Sequence, residues 1–128
     1  MMIKWFEKNR FASIIMVILI TIEIFWLSNL SLTGTGGGNI WISRTYHFTI
    51  FFLFSFFFFT AIKGNQKLKT SHILIVLLIS ITHAFLDEFH QSLIPNRNSS
   101  ISDVLTNTIG VFTSTIIYLY SIVKRTNS

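Results

Sequence analysis

Residues His72–Ile94 read HILIVLLISITHAFLDEFHQSLI, and the two halves of this stretch decide the fold. From Ile73 to Ile81 only Ser80 interrupts an apolar run. A bilayer core about 30 Å thick takes roughly 20 residues of helix at about 1.5 Å per residue, so the stretch is long enough to cross. The second half then sets His83, Asp87, Glu88, His90 and Gln91 into the same run. Ionisable groups at membrane depth are costly unless paired or wet, so their presence marks a polar site near one end of the span.

Working outward, three further segments have the same length and apolar character: Phe11–Leu30, Thr45–Ile62 and Val104–Val123. Short connections join them, a Gly-rich loop at Gly34–Gly38, a basic loop at Lys63–Ser71 and a polar loop at Pro95–Asp103. The expected fold is an all-α polytopic membrane protein, a four-transmembrane-helix bundle of two antiparallel hairpins. The whole chain, 1–128, is read as a single membrane domain.

Composition agrees. Hydrophobic residues make up 51% and charged residues 12%, with fourteen Phe, which lipid tolerates and water does not. Mean hydropathy is +0.61. The net charge of +5 does not indicate nucleic acid, because the basic residues sit in short clusters between apolar runs and form no single face. The chain has no cysteine, which excludes disulfides and thiolate chemistry. Met1–Arg10 resembles the basic start of a signal peptide, but the apolar run continues to Leu27 and no A-x-A-like site follows, so a retained anchor is expected.

Orientation follows from Lys and Arg. Lys4, Lys8, Arg10, Lys63, Lys67, Lys69, Lys124 and Arg125 fall on one side, against Arg44 and Arg97 on the other. The positive-inside rule then places both termini and the basic loop in the cytoplasm, with the protein multi-pass. In that topology Glu23, Arg44, His47, Asp87, Glu88, Asp103 and Asn107 all lie toward the outer leaflet. Helical spacing sharpens the point. His83, Asp87, His90, Gln91 and Ile94 form one stripe, Asp103, Asn107, Gly110 and Ser114 a second, and Arg44 and His47 share a face. Such stripes are satisfied only inside the bundle. The plainer alternative is interhelical glue, with Gly110 and Ser114 permitting close packing. Glu23 pairs with Arg44 or His47, or snorkels. His72 is read as flanking or capping its helix, and Ser102 or Asp103 as capping the fourth.

Asp87-Glu88-Phe89-His90-Gln91, then Pro95-x-Arg97, then Asp103-x-x-x-Asn107-x-x-Gly110, resembles the VanZ-like family, as does Arg44-x-x-His47-Phe48. The resemblance covers about Ser28 to Ile117. Departures fall at Ile50 and Phe51, where relatives carry an acidic residue and an aromatic. They fall also at Thr45, where relatives often have Lys, and at Asn107, where some have Asp. The resemblance implies a small bacterial membrane protein, in a family whose founding member is associated with low-level teicoplanin resistance.

Chemically, Arg44 and Arg97 offer planar forks of donors suited to the phosphate or carboxylate of a cell-envelope precursor or lipid headgroup. The expected ligand-binding set is Arg44, His47, Glu88, Gln91, Arg97, Asp103 and Asn107. The rival reading is an acid/base enzyme on a lipid or cell-wall precursor, with Asp87, Glu88 and His90 as catalytic candidates. A small transporter or structural subunit is a third, for which a homo-oligomer would be needed to wall a pathway. Imidazole and carboxylate at His83, Asp87 and His90 suit zinc, but the spacing is not that of a zincin helix. The reading therefore assigns no metal and no cofactor, membrane lipids as partners, and binding ahead of catalysis.

Overall fold

The computed structural model describes residues 2–29, 40–95 and 99–127. The Gly-rich loop and Arg97 lie outside the described residues. Among those described there are five helices: α1 (Met2–Lys8), α2 (Arg10–Asn29), α3 (Ile40–Lys63), α4 (Thr70–Ser92) and α5 (Ile101–Thr126). Of these, α2 to α5 are long and apolar enough to cross a membrane.

The bundle is apolar outside and partly polar inside, the reverse of a soluble protein. Ile18, Ile22, Trp26, Leu78, Phe85, Phe89, Leu105, Ile109 and Ile116 are exposed, whereas Ser13, Ser55, Thr60, Ser80, Asn107 and Ser114 are buried. Only lipid makes that distribution favourable. Threonines within the helices satisfy themselves by donating to the carbonyl one turn back, as Thr108 does to Val104 at 2.8 Å and Thr115 to Val111 at 2.9 Å.

Helix α3 is the hub and packs most extensively on α5. Gly110 is the reason they approach so closely, since a Cβ there would stand 2.5 Å from the Phe48 carbonyl oxygen and 3.2 Å from the Phe52 nitrogen. Around this seam Phe51, Phe54, Ile50 and Val111 form one apolar cluster, and Phe59, Val76 and Tyr118 a second.

Helix ends differ from the sequence expectation in three places. A separate short helix, α1, precedes the first long one, because the basic start is also amphipathic: Phe6 packs edge-on against Phe57 at 4.9 Å and Glu7 is buried. Helix α3 starts at Ile40, not Thr45, as Trp41 and Ile42 extend the apolar run, and α5 starts at Ile101, not Val104. The cap of α5 is Ser100, not Ser102 or Asp103. Its backbone is extended and its hydroxyl accepts from the Ser102 amide at 3.1 Å. His72 does cap α4, its Nδ1 accepting from the Lys69 amide at 3.3 Å. Gly64 closes α3 with φ +51° and donates its amide to the Thr60 carbonyl at 3.0 Å, a left-handed helix stop that a side chain would strain.

Hydrogen bonds fix which ends meet. Arg10, opening α2, donates its Nε to the Ala61 carbonyl near the end of α3 at 2.9 Å. Ser28, near the end of α2, donates to Asp87 near the end of α4. Arg44 in α3 donates to Ser102 in α5 at 3.1 Å. One end of the bundle therefore holds α1 together with Lys63 and Arg125, and the far end holds Ser28, Arg44, Asp87 and Ser102.

Candidate functional site

At the far end the polar stripes meet. His47 on α3, Asp87, Glu88 and Gln91 on α4 and Asn107 on α5 are all buried. His47 Nδ1 and Asn107 Oδ1 are 3.1 Å apart, a hydrogen bond between the ring and the amide. Asp87 accepts from the Ser28 hydroxyl on one oxygen and from Gln91 Nε2, at 2.9 Å, on the other. Glu88 Oε2 accepts from the Ser100 backbone amide at 3.1 Å. One donor atom each from His47, Asp87 and Glu88 lie within 4.8 Å of one another. Asn107 is fully buried and, among the described residues, its Nδ2 has no hydrogen-bond partner.

Helix geometry explains which stripe residues join this group. With about 100° per residue, Gln91 and Glu88 stand roughly 40° and 100° to one side of Asp87, toward α3 and α5. His83 and His90 stand about 40° and 60° to the other side, where both face the cavity against α2 and His83 also reaches α3. Accordingly His90 leaves the cluster: its Nε2 meets Asn29 Oδ1 at 3.3 Å and its ring stacks on Phe25 at 5.0 Å. His83 stacks flat on Phe54 at 4.7 Å. These histidines, with Thr21, Ile24, Phe25, Leu86 and Asp87, line an open cavity of about 190 Å³ between α2 and α4. Drug-sized ligands occupy roughly 300–1,000 Å³, so this opening admits a small group and not a whole envelope precursor.

The rim holds Arg44, half-buried, whose guanidinium reaches Ser102 and lies 5.8 Å from the centre of the Trp41 ring. Asp103 is half-buried in the first turn of α5, and Glu23 is exposed on α2. Among the described residues neither forms an ion pair with Arg44 or His47. Of the expected ligand-binding residues, then, the structure gathers His47, Glu88, Gln91 and Asn107 with the catalytic candidate Asp87. It sets Arg44 and Asp103 nearer the edge, and Arg97 is not among the described residues. Ser28 and Ser100 were not singled out by spacing, since hydroxyls recur throughout the chain and Ser100 contributes its backbone amide.

Sequence reasoning also missed a second buried polar group at the opposite end. Glu7 meets Lys63 Nζ at 3.2 Å and Arg125 Nη1 at 2.9 Å, and accepts from the Tyr118 hydroxyl at 2.5 Å. Burial by itself would raise the Glu7 pKa, but the hydrogen bonds from Arg125, Tyr118 and Lys63 outweigh it and hold the carboxyl below its ordinary range.

Four apolar helices of membrane length with an acid–imidazole–amide group buried near one end define a multi-pass membrane protein with a polar site inside the bundle. The chain belongs to the VanZ-like family: the VanZ/LLP1 family model matches residues 4–124. That match extends beyond the motif-bearing stretch to include most of α1, with Glu7, and nearly all of α5. Neither the curated proteins nor the solved structures contain a match to the chain.

Proposed function

We propose that the far-end cluster is an extracytoplasmic site that engages the polar headgroup of a cell-envelope component, a precursor or a lipid, and so lowers the susceptibility of a bacterial cell to teicoplanin-type glycopeptides. In this reading α2–α3 and α4–α5 are two antiparallel hairpins in the bacterial cytoplasmic membrane with both termini cytoplasmic. The distribution of Lys and Arg, with Arg44 and Arg97 alone toward the far end, supports that orientation.

The observation that carries the proposal is the burial of His47, Asp87, Glu88, Gln91 and Asn107 in one group, with Asp87 also lining the open cavity between α2 and α4. Glue between helices needs no opening. A site reached sideways from the bilayer does, and a cavity of about 190 Å³ accommodates a phosphate or carboxylate headgroup while its lipid tail stays outside. Arg44, on α3 beside Ser102 of α5, offers a fork of donors to an anion at the same end of the bundle.

The test is surface binding of a fluorescent teicoplanin-type lipoglycopeptide to susceptible cells that express the wild type, Glu88→Gln or Arg97→Ala at matched membrane levels, beside an empty-vector control. The expected result is lower binding with the wild type and restored binding with either variant. Equal binding in all four strains would sink the proposal.

The approach of His47 to two carboxylates favours a second reading, a membrane-embedded acid/base enzyme acting on the same class of precursor. It differs in requiring turnover by purified protein. That turnover would vanish in Glu88→Gln while the size-exclusion profile stayed that of the wild type.

A further inference from the structure

The buried group leaves an electrostatic problem that the headgroup reading does not solve. An anionic headgroup entering the cavity beside Asp87 would be repelled by its carboxylate. Asp87 is 7% exposed, and its oxygens are held by two neutral donors, the Ser28 hydroxyl and the Gln91 amide. Burial of a carboxylate with neutral partners is costly, and a cation beside it offsets that cost.

The surrounding atoms provide for such a cation. His47, Asp87 and Glu88 are 4%, 7% and 5% exposed, and their donor atoms already lie within 4.8 Å of one another. Ligands about 2.0–2.2 Å from a metal stand roughly 3–4 Å apart, so small side-chain adjustments would complete the site. The His47 ring is oriented as a ligating imidazole should be. One ring nitrogen is braced by the Asn107 amide oxygen, 3.1 Å from Nδ1, and the other is the one it would offer to a metal. The second, independent sign is Asn107 Nδ2, a fully buried donor without a partner on the amide that braces His47. A water or headgroup oxygen on the cation would accept from it.

We infer that His47, Asp87 and Glu88 bind one divalent cation of the zinc type, with Asn107 as the residue that positions His47. One imidazole and two carboxylates suit a borderline ion such as Zn²⁺ better than Mg²⁺ or Ca²⁺, which prefer oxygen alone. Three protein ligands leave a coordination position open. The cation turns an acidic pocket into one that attracts a phosphate or carboxylate, and that oxygen takes the open position. The inference rests on the far-end cluster being the functional site, and it names the ion through which that site would act.

The test uses full-length protein, purified in detergent with any affinity tag removed, loaded with ZnCl₂ and dialysed. Bound zinc is then measured per chain, with Co²⁺ absorption as a second readout. The wild type should retain about one equivalent. His47→Gln and Asp87→Asn should lose it, and Asn107→Ala should weaken binding by about 10- to 100-fold, the usual effect of removing a residue that orients a ligand. His72→Gln and His90→Gln should bind as the wild type does. A wild type that retains no zinc, or zinc retention unchanged in both His47→Gln and Asp87→Asn, overturns the inference. Because this assay contains no envelope component, its failure is separable from that of the cell-surface experiment. Wild-type cells that still lower glycopeptide binding with no zinc in the protein would retain the site and lose the metal.

Discussion

The two ends of the bundle both bury acid, and they treat it in opposite ways. At the α1 end Glu7 is 5% exposed and meets two cations, Lys63 and Arg125, plus the Tyr118 hydroxyl. That group is electrostatically complete, and its partners come from both ends of the chain: Glu7 and Arg125 are 118 residues apart in sequence. At the far end Asp87 is equally buried but is held by a hydroxyl and an amide. The first arrangement ties α1 to α3 and α5. In the second, among the described residues, no cation pairs with Asp87. The first carboxylate is a structural clasp, and the second is the one the proposed cation would engage.

The largest expected effect breaks both ends together. Gly110→Leu would force a side chain into the Phe48 and Phe52 backbone, which cannot yield as a flexible side chain could. Overpacking typically costs about 1–3 kcal/mol even in adaptable cores, and a clash with backbone exceeds that. The folded, monodisperse peak in size-exclusion chromatography should disappear. Next in size is Glu7→Ala, which leaves Lys63, 8% exposed, without its buried acid. Breaking such a pair costs on the order of 3 kcal/mol, read as a lower melting temperature in detergent. An unchanged melting temperature would remove the contrast between the two ends.

A smaller effect is the pH dependence of the same group. The Glu7 pKa is depressed below 4.5 in the folded protein, so its contribution is fully present above that value and is lost as pH falls through the folded pKa. The wild type should lose melting temperature more steeply than Glu7→Gln in acid below about pH 4.5 and run parallel to it at neutral pH. The difference between the two proteins isolates Glu7 from the other carboxylates.

Much of this was legible in the sequence, for physical reasons that also mark where reading stops. The long helices were visible because length and apolarity alone decide them, and Asp87, Gln91, Asn107 and Gly110 because i, i+4 and i+7 spacing puts them on common faces. His90 fell on the same stripe, yet about 60° of rotation turns it to α2 and Phe25. The Glu7 group was hidden. Lys63 and Arg125 served only as topology signals, and nothing local says that they reach a glutamate in what reads as a basic leader. Ser28 and Ser100 were hidden likewise, because the Ser28 hydroxyl and the Ser100 backbone amide acquire their roles only when α4 arrives beside them.

The smallest expected effect separates the two ends most sharply, because its sign differs. Asp87→Asn removes a buried charge whose partners are neutral. The amide keeps an oxygen to accept from Ser28, and Gln91 can turn its own amide to offer oxygen to the new nitrogen. In metal-free protein the substitution should therefore change stability by less than about 1 kcal/mol, or raise it, since replacing a buried charge with a neutral isostere is often neutral or stabilising. The same substitution should abolish the wild type's effect on glycopeptide binding at the cell surface. A stable and inactive Asp87→Asn would show that this carboxylate is kept for its ligand at some expense to the fold, as functional sites often are. A destabilisation as large as that of Glu7→Ala would make Asp87 a second clasp, and the two ends of the bundle would be alike.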